Sequence, residues 1–402
     1  MHRLARRPIG ALVIVLAATF TVNLAVQPAW AVDYPTWADV EAAKANEATK
    51  KAQIAQIESL VNGLEEEAAL FAKAALEANE AYNQTLDQLA IAESAAETLQ
   101  ERADAAAERA QDSSNQAGTL VAELARTGGT DLTLQLLLSD EQSAEDVLHL
   151  IGTMNQLSAH SAEIYERAVV DLNAASSLNE QAESARAARQ TLAEEAAAAL
   201  ATAQQAAADA EVRARTQEQV AAQLYAQLAS LKGTTADTEQ AYLDGLAWEK
   251  AQEAITNPPA PPPPVNPTPP APSVDAVARA ISFARAQVGD RYELRGSGPD
   301  AWDCSGLTKA SYASAGVYIG THSATNQYAT MASAGRLVPY NELVAGDLLF
   351  YSNGGDASGS KYHTALFIGD GKMIEAPYPG VPVRVTAVRY GDLVPYAGRP
   401  TP

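Results

Sequence analysis

Between Thr36 and Asn257 the chain contains no proline, and its apolar positions recur every three or four residues. They run Ile54, Ile57, Leu60, Val61 and Leu64, continue at Leu86 and Leu89, and return at Leu224, Leu228 and Leu231. That spacing lays a stripe along one face of an α-helix. The positions between are rich in Ala, Glu, Gln and Leu, which cost least in a helix. Many stripe positions are Ala, which lets helices approach closely but buries little area per contact, so the stripe needs a partner helix. Two adjacent glycines in Thr127-Gly128-Gly129-Thr130 interrupt the pattern. A more apolar run follows, from Leu132 to Ile151, and the Ala/Glu/Gln pattern resumes after roughly Ser158. The pattern predicts a coiled-coil hairpin with arms at about Trp37–Arg126 and Ser158–Lys232, each on the order of 100 Å long. An apolar helical insertion near 128–157 forms its tip, and its leucines either cap the hairpin or dock another protein. His149 and His160, in this region, read as solvated or packed residues.

Lys232-Gly233-Thr234-Thr235 ends the return arm, and a short helix is expected over about Asp237–Ile255. In residues 257–272, ten of sixteen positions are proline. Such a run is extended and semi-rigid, which makes it a spacer. Residues 273–402 then lose the Ala-rich period and gain Gly, Tyr, Pro and Val. The length suffices for one independent core. Val274–Val288 reads as an amphipathic helix with Ser273 as its N-cap and Gly289 past its end. A helix running from Leu307 to Ala315 follows. Strands are expected at 347–351, 363–368, 372–376 and 381–388. Helices followed by an antiparallel meander give an α+β fold. The whole chain therefore reads as multidomain, an all-α coiled-coil hairpin (32–256), a linker (257–272) and an α+β domain (273–402).

The first residues change the picture of where the protein works. His2, Arg3, Arg6 and Arg7 precede an apolar stretch, Ile9–Ala25, and Ala29-Trp30-Ala31 offers a small-x-small cleavage site. Residues 1–31 read as a signal peptide, with export to the outside of the cell or to its wall. The net charge of −21 argues against a nucleic-acid partner.

The chain has one cysteine, Cys304, so it forms no intramolecular disulfide. In an exported protein a solitary thiol fits a nucleophile, because a second cysteine would invite pairing. The turn-like Gly296-Ser297-Gly298-Pro299-Asp300 precedes it and a helix follows. That places the sulfur at a helix N-terminus, where free amides and the helix dipole favour a thiolate. His322 and His363 are the two histidines of this domain. His363 opens a strand, the turn Gly369-Asp370-Gly371 reverses the chain, and Glu375 returns within a residue or two of directly opposite it. The pattern predicts Cys304 as nucleophile, His363 as base and Glu375 as the carboxylate that orients the imidazole. His322, in the loop 320–323, is either a second base or a residue lining the cleft. One Cys and two widely spaced His make a poor zinc set, and neither a metal nor another cofactor is expected.

The run 296–307, the segment Ala345-Gly346-Asp347-Leu348-Leu349-Phe350 and the hairpin from His363 to Pro377 together resemble the NlpC-type (NlpC/P60) cell-wall peptidases. The resemblance covers about Val274–Arg399. It implies a papain-like core and hydrolysis of peptidoglycan stem peptides, usually between D-isoglutamate and the diamino acid at position three. It also implies a Cys/His dyad with a third polar residue, which falls at Glu375. Tyr292 matches a tyrosine near the nucleophile, and Asp303 and Ser305 match positions that contact the stem peptide in relatives. Tyr292-Glu293-Leu294-Arg295-Gly296 and Thr321-His322-Ser323 depart from the family's usual pattern at the cleft border. The rod resembles, in layout, the coiled coils of secreted division and wall-remodelling hydrolases. That likeness implies docking on a membrane-embedded division regulator, or restraint of the catalytic domain. The competing readings are a catalytically silent wall-binding scaffold or division-regulator partner, and a transferase or amidase acting on another acyl substrate.

Overall fold

The computed structural model describes residues 35–127, 144–256 and 271–401. The expected signal peptide, residues 128–143 of the tip and most of the proline-rich linker lie outside the described residues.

Helix α1 (Trp37–Lys44) is capped by Thr36, whose hydroxyl accepts the Asp39 amide while Asp39 accepts the Thr36 amide. The chain breaks at Ala45-Asn46, and the Asn46 side chain accepts the Ala48 amide at 2.8 Å to start α2 (Glu47–Thr127). The return helix α3 spans Ala144–Lys232. It starts earlier than the expected Ser158, so residues 144–157 belong to the return arm itself. Helix formers without proline carry the element that far. Helix α4 spans Ala236–Thr256. Near the open end of the hairpin, Ile57, Val61 and Leu64 pack against Leu224, Tyr225, Leu228 and Leu231. Farther along, the seam is built from Ala75, Ala78, Ala203, Ala206 and Ala210. Each such alanine buries one methyl, so this stretch gains close approach rather than much apolar area.

The C-terminal domain begins with α5 (Val274–Ala286). A parallel pair, β1 (Arg291–Tyr292) and β2 (Ala301–Trp302), leads into α6 (Cys304–Ala313). Helix α7 (Ala324–Ser333) comes next. Six strands form one antiparallel sheet: β3 (Leu337–Pro339), β4 (Leu348–Ser352), β5 (Lys361–Gly369), β6 (Lys372–Glu375), β7 (Arg384–Ala387) and β8 (Tyr396–Gly398), in the spatial order β3-β8-β4-β5-β6-β7. Alternation sorts the central strands into two faces. Leu348, Phe350, Leu366 and Ile374 meet Leu307, Tyr312 and Met331 from the helices. Leu349, Tyr351, Ala365, Phe367 and Met373 form a second cluster with Val388 and Leu393. Ser273 stands at the N-cap of α5 as expected, though its side chain makes no capping bond. The sequence reading missed β1–β3, α7 and β8, which are short or lack a clean period.

The domain does not stand apart from the rod. Leu76 of α2 is 6% exposed and sits within the helix-side core cluster of the C-terminal domain. Lys73 pairs with Asp392 at 2.7 Å, and Arg295 stacks over Tyr82.

Candidate active site

Asp303 ends the β2 segment and caps α6, its Oδ1 accepting the Gly306 amide at 2.7 Å. The cap makes Cys304 the first residue of the helix, three residues before the expected start at Leu307. Glycine is needed at 306, because an added Cβ would lie 2.0 Å from the Gly296 carbonyl oxygen. The turn-like segment and the helix start therefore close directly on each other and fix the direction of Cys304. The thiol is buried at 2% exposure. The amides of Ser305 and of Thr364, the residue after His363, favour its thiolate from nearby. Cys304 and the β5 end that carries His363 are thus brought together.

The register pairs Leu366 with Ile374, which sets Glu375 two positions from His363 on the same face of the hairpin. His363 Nε2 lies 2.8 Å from Glu375 Oε2. Glu375 is fully buried, yet its carboxyl is held well below the ordinary carboxylate range: burial opposes ionisation, and Arg389 and His363 outweigh it. An ionised carboxylate only accepts, so Nε2 carries the proton and donates it. Nδ1 is buried without a hydrogen-bond partner and is the ring nitrogen free to accept a proton. Burial pushes the His363 imidazole below its ordinary value, against the pull of Glu375.

The thiol corrects an expectation. The helix N-terminus was expected to hold a thiolate, and the two amide donors do pull that way. Burial outweighs them, and Asp303 and Glu80 add negative charge nearby, so the thiol is pushed well above its ordinary range. Burial thus favours the uncharged form of both the Cys304 thiol and the His363 imidazole.

The remaining expected residues converge around Asp303. Ser305 Oγ donates to Asp303 Oδ1 at 3.1 Å, and His322 Nε2 lies 2.8 Å from the same oxygen. His322 is thus tied to the Asp303 carboxylate rather than to Cys304 or Glu375. Tyr292 is buried, and its hydroxyl is pushed well above the usual phenol value by burial and by the nearby Asp303 and Cys304. Among the described residues no cluster of three His, Cys, Asp or Glu side chains is arranged to hold a metal ion.

The sequence allows restraint by the rod but does not name the residues that carry it. One face of α2 lies across the cleft. Asn79 Nδ2 donates to Asp303 Oδ2 at 3.2 Å and approaches the Tyr292 hydroxyl at 3.5 Å. The Glu80 carboxylate, 2% exposed, receives the Ser323 hydroxyl at 2.6 Å and the amides of Ala324 and Thr325 at 2.9 and 3.0 Å. It therefore sits on the N-terminus of α7, where free amides and the helix dipole favour an anion. Gln84 donates to Ser360 and Thr325, and Asp87 accepts the Thr321 hydroxyl. Asn83 is buried with both amide atoms unpaired, and Asn79 Oδ1 is likewise unpaired. The available signal was a run of polar residues, Asn79, Glu80, Asn83, Gln84 and Asp87, at helical spacing on a face the hairpin seam does not use.

The profile of the NlpC/P60 family matches residues 289–394. The peptidoglycan endopeptidase RipB of Mycobacterium tuberculosis is 33% identical over 179 residues, covering 41% of this chain and 70% of that protein. The chain belongs to the NlpC/P60 family. The peptidoglycan endopeptidase RipA of Mycolicibacterium smegmatis is 38% identical over 104 residues, which are 26% of this chain and 19% of that protein. This chain thus spans about a fifth of the length of that relative. The solved structure of M. tuberculosis RipB covers 41% of this chain and 86% of its own at 28% identity, with a TM-score of 0.28.

Proposed function

We propose that this protein is an exported peptidoglycan hydrolase that cleaves stem-peptide amide bonds, usually between D-isoglutamate and the diamino acid, with Cys304 as nucleophile. The carrying observation is the junction of α6 and β5. The only thiol begins a helix that packs on the strand bearing His363, and that histidine has its Nε2 tied to Glu375 and its Nδ1 bare. In the reaction, Nδ1 takes the thiol proton as the sulfur attacks the scissile carbonyl carbon. Amides at the start of α6 hold the oxyanion. The tetrahedral adduct collapses as the imidazolium gives its proton to the leaving amine. Water, deprotonated by the same nitrogen, then releases the thioester as a carboxylate. Asp303, Ser305, Tyr292 and His322 line the cleft and meet the stem peptide. To test this, full-length protein and a Cys304→Ala variant are incubated with purified stem peptides. New amine released by the first alone supports the assignment; equal release by both removes it.

Regulation follows from α2. The face bearing Leu76, Asn79, Glu80 and Asn83 covers the cleft, so the docked form is closed and hydrolysis requires displacement of the rod. Val121, Tyr165 and Val170, toward the tip, are 64, 66 and 63% exposed. With the apolar segment that follows Gly129, they suit a membrane-embedded regulator of wall remodelling. A Leu136→Glu change is expected to abolish function in cells while leaving hydrolysis by the purified protein unchanged. The scaffold reading predicts instead that Cys304→Ala restores growth to cells lacking the protein.

A further inference from the structure

Glu375 is held by more than its histidine. Arg389 places Nη1 2.9 Å from Oε1 and Nη2 2.7 Å from Oε2, a two-pronged grip on the whole carboxylate. Arg384, across the β6–β7 ladder from Glu375, adds Nε to Oε1 at 3.1 Å. A planar guanidinium fork fixes the rotation of the carboxylate plane, which a single donor cannot do. With both oxygens gripped, only Oε2 is left in position to receive the His363 Nε2–H. The same guanidinium lies 5.2 Å from the centre of the Tyr351 ring, and that ring lies 5.5 Å from the imidazole of His363. Arg389 therefore reaches His363 by two routes, one through a carboxylate and one through an aromatic face.

We propose that Arg389, seconded by Arg384, is a positioning residue for the hydrolytic step: it grips Glu375 so that His363 is held as its Nε2–H tautomer with Nδ1 turned over to the thiol. The proposal rests on Cys304 and His363 being the reacting pair.

The charges around His363 support a second consequence. The ring is faced by Glu375 from β6, by Arg384 and Arg389 from β7 and the segment after it, and by Tyr351 from β4. Asp303 and Glu80 of α2 act on the thiol of Cys304 at the start of α6. Glu375 alone would favour the imidazolium. The two guanidiniums offset that pull, and after burial they are what hold the imidazole low. The grip thus keeps Glu375 ionised as an acceptor and keeps the base unprotonated near neutral pH. Neither arginine advertises this role in the sequence. Their side chains are 40 and 46% exposed and read as ordinary surface residues on a strand and its exit.

The test is histidine-selective ¹⁵N NMR on the full-length chain, with the His363 signal assigned from a His363→Gln spectrum. Wild type should show a protonated Nε2 and a bare Nδ1. Arg389→Gln should mix the two tautomers and move the His363 titration to higher pH. Arg389→Lys, which keeps the charge but loses the fork, should mix the tautomers while leaving the midpoint nearly in place. Arg384→Gln should show the midpoint shift in smaller degree. In a Glu80→Ala background, Arg389→Gln should lower kcat roughly tenfold, part of what a positioned base supplies. KM should stay unchanged, and the acid limb of the pH profile should move to higher pH. A natively dispersed Arg389→Gln spectrum with the wild-type tautomer and midpoint overturns the proposal. If Arg389→Gln does not fold, Arg389→Lys and Arg384→Gln decide by the same two readings. Because the spectra need no turnover, a Glu80→Ala protein with the expected tautomer that hydrolyses no stem peptide defeats the peptidase reading and leaves the grip standing.

Discussion

Two polar assemblies meet at Cys304, and they are built in opposite ways. Around Glu375 every oxygen contact is made: two guanidiniums and an imidazole satisfy a carboxylate with no exposure. Along the face of α2 the contacts are mixed. Glu80 is fully satisfied, yet Asn83 is buried with no partner and Asn79 is half-paired. A buried amide without partners costs about 1–3 kcal/mol, and a folded core seldom tolerates it. The first assembly suits permanent machinery. The second suits a surface that is covered in one state and wet in another, where unpaired amides regain water on release.

Removal of the sulfur has the largest expected effect. Cys304→Ala should lower hydrolysis by at least about 10⁴-fold while leaving the thermal unfolding profile nearly unchanged, because α2 still docks. Residual activity within tenfold of wild type would place the chemistry elsewhere. The next effect is on the seam. Glu80→Ala leaves the Ser323 hydroxyl and two amides of α7 without their acceptor whenever the rod is docked. Charged hydrogen bonds are worth about 1.5–3 kcal/mol, so initial rates on stem peptides should rise by about tenfold or more. A smaller change of opposite sign is expected from Asn83→Leu, which removes the unpaired amide and adds apolar contact. Its rate should fall several-fold and its melting temperature rise; a rate increase would mean that Asn83 serves the docked state.

The smallest effect is the pH response of the seam. Burial holds the Glu80 carboxyl above its ordinary value, against its hydrogen bonds. The docked state therefore binds a proton more tightly than the released one. Docking is favoured at low pH and weakens as pH rises through the raised Glu80 value. Cys304, also raised by burial, acts in the same sense at higher pH. The rate advantage of Glu80→Ala over wild type should accordingly shrink as pH increases.

The same contrast divides what the sequence revealed from what it hid. Helix arms without proline, a solitary cysteine after a turn, and a His/Glu hairpin are local patterns; their elements form, though the return helix begins at Ala144 and the helix of the cysteine at Cys304, each ahead of the expected start. Docking is not local. Asn79, Glu80 and Asn83 look like the solvated face of an amphipathic helix until a second domain covers them, and the proline-rich run fixes no geometry that would foretell it. The direction of the thiol was misread for the same reason. A helix N-terminus favours the thiolate only while water or a cation can reach it, and here the thiol is buried with Asp303 and Glu80 nearby. Arg384 and Arg389 were invisible because a strand register, not a motif, brings them to Glu375.

Since the chain carries a single thiol, alkylation by iodoacetamide, followed by mass spectrometry of the intact protein, reports on Cys304 alone. Measured on full-length wild type and Glu80→Ala at one mildly alkaline pH, the variant should react about tenfold faster, and its hydrolytic activity should disappear in step with labelling. Equal labelling rates in the two proteins, or hydrolysis that survives complete labelling, would contradict a nucleophile sealed beneath the rod.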